Sequence, residues 1–416
     1  MKSEVILDVI GKADDKYIEE AAPKEKRSKK YRWVKRIAMA ACLTLAVYVG
    51  IRLIPTGISG PNTPAETDSH PNTPAGTEDQ PDVPAKAENL PMLSITSGTD
   101  AMGFEACLAY DISELDNGNP WTADTQLNTM PVYKNTDFPE TAAGIGKECM
   151  LKLAKQVADA LNMKIISVKY DVNEKSGYKS DTDLAENDVI YRVIAETATA
   201  EIEVTKGGTG TVNFNESIEL PAEYSFTYTD TSDEEAENVT DYLLKRYSAL
   251  LSLTNPQKAL FADYAFDGSR NRNYYAYDAE GNIAEQIINY NFNKVQFAPD
   301  DDGNLMLIRK YNDLSCAEKI GDYPIITSEE ALKLLMNGNY LSSVPEEMPG
   351  EDYVAKAELV YRTVDSDETF LPYYRFWVEL PDMHQENGLK TYGGYYVPAV
   401  QQQYISNMPL WDGSFN

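Results

Sequence analysis

Apolar and polar positions change rhythm several times along the 416-residue chain. Residues 37–54 are almost continuously apolar, residues 55–91 carry almost no large apolar side chain, and from Met92 onward apolar positions recur at helical or strand spacing. In 147–161, Met150, Leu151, Ala154, Val157, Ala158 and Leu161 follow a helical period. The runs 164–170, 189–197, 201–205 and 211–214 read as strands, with Gly207 and Gly208 marking a turn. Ser232 stands three residues before Glu235, a capping box that opens a helix through Tyr242, Leu243, Tyr247 and Leu250. Strands are predicted at 273–277, 283–290, 294–297 and 305–310, separated by turns at Glu280-Gly281-Asn282 and Asp302-Gly303-Asn304. Thr327 and Glu330 form a second capping box, and Gly338 stops that helix. Three strands, 353–363, 373–380 and 391–400, close the chain. A helix followed by antiparallel strands thus recurs about three times, which predicts an α+β fold with modules at 92–231 and 232–416.

Charge changes the picture at the apolar run. The chain carries 37 Lys+Arg and 66 Asp+Glu, a net charge of −29. Residues 1–36 hold 11 basic and 7 acidic residues, whereas the rest holds 26 and 59. The run 37–54 has 18 residues, about 27 Å of helix, which suits a single-pass transmembrane helix if Arg52 snorkels outward. Trp33, Lys35 and Arg36 are its expected inner anchors, and the positive-inside rule puts residues 1–36 in the cytoplasm and the rest outside. A cleaved signal peptide and a buried core helix are the competing readings. The 36-residue tail is too long for an ordinary signal n-region, and the basic flank speaks against a core helix. Residues 55–91 repeat Pro61-Asn62-Thr63-Pro64, Pro71-Asn72-Thr73-Pro74 and Pro81-Asp82-Val83-Pro84, a Pro-rich spacer too polar to bury a core.

The acidic excess repels phosphate backbones and excludes nucleic acid as a partner of the bulk of the chain. Catalytic and metal signatures are sparse. The two histidines, His70 and His384, lie in the spacer and in a loop, and no pair has zinc-ligand spacing. Counting from Asp300, position twelve of a calcium loop is Tyr311, so Asp300-Asp301-Asp302-Gly303-Asn304 reads as a hairpin turn. Cys107, Cys149 and Cys316 lie beyond the apolar run and Cys42 within it; a Cys107–Cys149 bridge is conceivable, but no spacing demands one. Nothing matches a phosphate loop or a Gly-x-Ser-x-Gly elbow, and acids are too abundant for a glycosidase pair to be picked by spacing. No cofactor is implied.

Two features suggest recognition. Tyr373, Arg375 and Trp377 alternate along one predicted strand, and Tyr392 and Tyr395 lie on its expected neighbour. Cross-strand aromatic packing is the plain interpretation, and an exposed surface for a glycan or peptide is the functional one. In the tail, Val5, Ile6, Val9 and Ile10 repeat at helical spacing, Gly11 breaks the helix, and Tyr17 follows, a miniature amphipathic face for a cytosolic partner or the membrane surface, with a merely solvated tail as the plain alternative.

Stretches such as ILDVIGKADDKYIEEAAP, KYRWVKRIAMAACLTL, GFEACLAYDISEL, GDYPIITSEEALKLLMNGNY, LPYYRFWVELP and YISNMPLWDGSFN resemble an uncharacterised family of membrane-anchored proteins of gut Clostridia. The tail and anchor are similar to those of anti-sigma-like proteins, and the helix-plus-strand body is loosely similar to PepSY domains. The resemblance implies a single-pass protein of a Gram-positive cell membrane with an extracytoplasmic sensory or binding body, in contact with the lipid bilayer, an envelope ligand or protein, and a cytosolic regulator such as a sigma factor. A purely extracellular carbohydrate-, peptide- or protease-binding domain is the alternative, and a cell-envelope hydrolase a further one.

Overall fold

The computed structural model describes residues 90–96, 104–135, 144–172, 177–185, 188–314, 317–364 and 367–413. The tail at 1–36, the apolar run at 37–54 and nearly all of the spacer lie outside them. So do Val5, Ile6, Val9, Ile10, Tyr17, Trp33, Lys35, Arg36 and Arg52.

In chain order, strands β1 (Ala106–Ala109) and β2 (Thr129–Lys134) precede helix α1 (Lys147–Ala160). Next come β3 (Ile165–Asp171), β4 (Tyr178–Lys179), β5 (Arg192–Thr197), β6 (Ala200–Thr205) and β7 (Gly210–Ile218). Helices α2 (Asp233–Arg246) and α3 (Ser248–Leu251) lead to β8 (Pro256–Tyr264) and β9 (Arg270–Asp278). Helix α4 (Ile283–Phe292) is followed by β10 (Val295–Pro299), β11 (Leu305–Lys310) and β12 (Lys319–Pro324). Helix α5 (Ser328–Met336) precedes β13 (Leu341–Ser342), β14 (Val354–Tyr361), β15 (Thr369–Phe370), β16 (Pro372–Glu379) and β17 (Lys390–Pro398).

Local chemistry accounts for most of these boundaries. Both predicted capping boxes form: Ser232 Oγ accepts from Glu235 N, and Thr327 Oγ1 from Glu330 N. The β10–β11 hairpin turns on Asp300, whose side chain accepts from Asp302 N and Asn304 N, with Gly303 at φ +82°. One predicted strand is instead a helix. Glu280-Gly281-Asn282 is not a hairpin turn; Asn282 caps α4 by accepting from Ala284 N and Glu285 N, and Glu285 answers at Asn282 N. Ile283, Ile287, Ile288 and Phe292 then pack inward at helical spacing.

The α+β expectation is corrected. Strand accounts for 36% and helix for 22% of the structure, so sheet dominates, with five α-helices among the described residues. Separate modules, each with its own sheet, are also not what the chain builds. One nine-stranded antiparallel sheet runs β4-β3-β5-β6-β7-β11-β10-β9-β8, so strands from both sides of residue 231 share it. The joint is β7 against β11, with Thr211 opposite Arg309 and Val212 opposite Ile308. The pairing covers two strand edges that separate modules would leave open. A second sheet, β1-β17-β16-β14 with β13 also on β17, likewise draws β1 from the early part of the chain. Strands β12, β2 and β15 form a small third sheet. Among the described residues no helix is long and apolar enough to cross a membrane.

The helices α1, α2 and α3 cover one face of the nine-stranded sheet. Met150, Ala154 and Ala158 of α1 and Ala236, Val239 and Leu243 of α2 join Val193, Ile202, Val212, Tyr274, Phe297 and Ile308 in one core. A second core lies between α4, α5 and the face of the second sheet that carries Tyr374, Phe376 and Val378.

Candidate functional site

Strands β16 and β17 carry the aromatic residues singled out from the sequence. Alternation holds along β16: Tyr374, Phe376 and Val378 enter the core under α5, while Tyr373 and Trp377 enter clusters on the opposite face. The exposed ligand surface does not form. Tyr373 and Trp377 are 1% exposed, Tyr392 2% and Tyr395 0%. Tyr392 and Trp377 are covered by Cys107, Leu115 and the β8 residues Phe261 and Tyr264. Leu93, Ile95 and Tyr323 cover Tyr373. Tyr395 points to the other face, where its ring meets Tyr340 at 5.2 Å and its hydroxyl donates to Glu346 O at 2.8 Å. Alternation assigns a face, but it carries no information on what packs against that face.

Arg375, on the Trp377 face, holds a charged clasp. Glu358 on β14 stands directly opposite it on one side and Tyr396 on β17 on the other. Arg375 Nε and Nη2 donate to Glu358 Oε2 at 3.0 and 2.6 Å, and Nη1 to Glu105 Oε1 at 3.0 Å. Trp377 Nε1 donates to the same Glu358 oxygen at 3.0 Å, and Lys356 Nζ pairs with Oε1 at 2.9 Å. The Tyr396 hydroxyl donates to Glu105. Gly394 makes room, since a Cβ there would lie 2.9 Å from Glu105 Oε2. Two cations thus face two carboxylates with their donors engaged, which makes the cluster a fastening between strands. Burial pushes the Glu358 carboxyl up, but Arg375 and then Lys356 outweigh it and hold it at about 2.

The other sequence candidates are dispersed. Cys107 and Cys149 are free thiols, one buried in β1 and one exposed on α1. Burial, followed by Asp263, pushes the Cys107 thiol up, away from nucleophilic use. His384 Nε2 lies 3.3 Å from Glu379 Oε1.

A cavity of about 340 Å³ opens between α1, α3 and the helix-covered face of the nine-stranded sheet. Leu153 and Val157 of α1, Leu250 of α3, and Val204, Val212 and Ile308 from the sheet form apolar walls, with Gln156, Ser252, Lys310 and Asn312 as polar lining. Lys310 Nζ donates to Leu251 O at 2.6 Å. Burial lowers its pKa, with Asp278 pulling the other way. The site offers apolar walls and one ammonium group, which suits an apolar chain ending in an anion or a strong acceptor. Sequence reasoning missed it because the α1 period merges two stripes. Met150, Ala154 and Ala158 are buried, while Leu153 and Val157 are only half-buried along the cavity.

The clasp generates a stability prediction. Glu358→Gln lowers unfolding stability near neutral pH by about 3 kcal/mol in urea titrations, because it leaves buried cations undercompensated. The folded pKa of Glu358 lies below its unfolded value of about 4.3. Its stabilising contribution is therefore complete above that unfolded value and is lost as pH falls toward about 2. The gap between wild type and Glu358→Gln should narrow over that window, and a pH-independent gap contradicts the assignment. Set against models of known protein families and against curated proteins, the chain matches none, so the reading of the site rests on its own residues.

Proposed function

We propose that this protein is a membrane-attached binding and sensory-regulatory protein whose extracytoplasmic body takes a small amphiphile. The observation that carries this reading is the cavity of about 340 Å³, with apolar walls from α1, α3 and the sheet and Lys310 in its lining. Its size suits a metabolite-scale ligand, and Lys310 is the one cationic group in its lining. No covalent chemistry is assigned to it.

Attachment to the lipid bilayer is supported by the apolar run at 37–54 and by the change of charge sign across it. Trp33, Lys35, Arg36 and Arg52 serve as its interfacial residues. The tail then sits in the cytoplasm, where Val5, Ile6, Val9, Ile10 and Tyr17 offer a face to a regulator such as a sigma factor. A Pro-rich spacer holds the body clear of the membrane.

Octanoate is a suitable probe, with an apolar chain and one carboxylate. Calorimetry on the full-length chain should show binding that Val157→Trp weakens about ten-fold or more by filling the cavity, while Lys310→Met weakens octanoate but leaves octanol binding unchanged. Octanoate binding undiminished in Val157→Trp contradicts the site. A sigma factor should co-purify with the full-length chain and be lost on deleting residues 1–30; unchanged recovery after the deletion contradicts the tail's role.

A further inference from the structure

The nine-stranded sheet has a second, more polar face, opposite α1, α2 and α3, with Tyr290 of α4 packed against Tyr277 at its β9 end. Along it the register sets Tyr275, Gln296, Arg309 and Thr211 in one row across β9, β10, β11 and β7. One step along the same face, Tyr311 N donates to Lys294 O at 2.9 Å, which places Lys294 beside Tyr311. The Lys294 ammonium lies 5.1 Å from the Tyr275 ring centre and 5.3 Å from that of Tyr311. Arg309 Cζ lies 5.9 Å from the Tyr311 ring, and its Nε donates to Thr211 Oγ1 at 3.2 Å. Lys294, Gln296, Arg309, Tyr275 and Tyr311 are all half-buried, so the cluster is a recess and not a sealed core.

The charge balance there is unusual for this chain. The net charge is −29, and elsewhere on the same face Arg192 pairs with Asp171 and Glu203, and Lys169 with Glu196. Among the described residues, neither Lys294 nor Arg309 forms an ion pair with a carboxylate. Asp313 acts on Lys294 and Glu203 on Arg309 only as weaker attractions. The two cations are held instead by tyrosine rings, by the Tyr311 hydroxyl and by the Thr211 hydroxyl. Burial lowers the Lys294 pKa, with Asp313 pulling the other way and Arg375 adding a smaller push down. An anion entering the recess relieves the desolvation of the Lys294 ammonium. Arg309 Nη1 donates to the Tyr311 hydroxyl at 3.5 Å and that hydroxyl to Gln296 Oε1 at 3.4 Å, which leaves Arg309 Nη2, the Lys294 ammonium and the Gln296 amide nitrogen as donors for the three oxygens of a phosphate.

We propose that Lys294 and Arg309, flanked by Tyr275, Tyr311 and Gln296, form a binding site for a small phosphate monoester on the face of the nine-stranded sheet opposite α1, α2 and α3. The site is separate from the cavity under α1, and neither depends on the other. Inorganic phosphate, glucose 6-phosphate and glucose are the probes, titrated calorimetrically into the full-length chain. Both phosphates should bind and glucose should not. Arg309→Gln and Lys294→Met should each weaken phosphate binding about ten-fold or more, Lys294→Arg should retain it, and Lys152→Met, on the exposed side of α1, should leave it unchanged. Octanoate binding and thermal melting of each variant report whether the fold is intact. Should Lys294→Met fail to fold, Arg309→Gln with Lys294→Arg decides the matter. Glucose binding as well as its phosphate, phosphates failing to bind at millimolar concentration, or folded Arg309→Gln binding like wild type overturns the site.

Discussion

The pairing of β7 with β11 is the constraint on which the rest of the architecture depends. Gly210, Thr211 and Val212 stand opposite Lys310, Arg309 and Ile308. That register fuses the strands before and after residue 231 into one sheet and gives both faces their character. Val212 and Ile308 point under the helices into the apolar core, and with Gly210 and Lys310 they line the cavity. Thr211 and Arg309 point the other way and meet each other in the cationic recess. A slip of one residue would put the two cations of β11 on exchanged faces and bring Ile308 into the polar recess. Both proposed binding sites are thus consequences of a single strand pairing.

The second sheet settles its register differently. There the opposed residues include ions: Glu358, Arg375 and Tyr396 lie in one row across β14, β16 and β17. Glu358 is almost fully buried, and its two oxygens take up Arg375, Trp377 and Lys356. A buried ion pair adds little net stability over apolar packing, but it penalises every register that separates the partners. Glu105 reaches the same arginine from the segment before β1 and ties the early chain to the closing strands.

Much of the local structure was legible. Ser232 with Glu235, Thr327 with Glu330, and Asp300 before Gly303 are short-range chemistry, and each forms as its spacing implies. Glu280-Gly281-Asn282 shows the limit, because the same residues serve a hairpin turn or a helix N-cap. The decision lies in whether Ile283, Ile287 and Ile288 find a core at helical spacing. The fold class and the pairing across residue 231 were not legible, since local periodicity carries no information on which distant edge a strand joins. The candidate surface failed for a related reason: Tyr373 and Trp377 alternate correctly, yet β8 and the chain near Leu93 cover them. Lys294, Arg309 and Tyr275 are unremarkable in sequence and become a site only once three strands are in register.

The most direct test is to observe the β7–β11 pairing in solution. Nuclear Overhauser contacts should be recorded on deuterated, selectively protonated full-length protein. Cross-strand contacts between the backbones of Thr211 and Arg309 and between those of Val212 and Ile308 are the predicted result. Absence of contacts between these strands, or contacts offset by one residue, would contradict the fused sheet and both sites built on it.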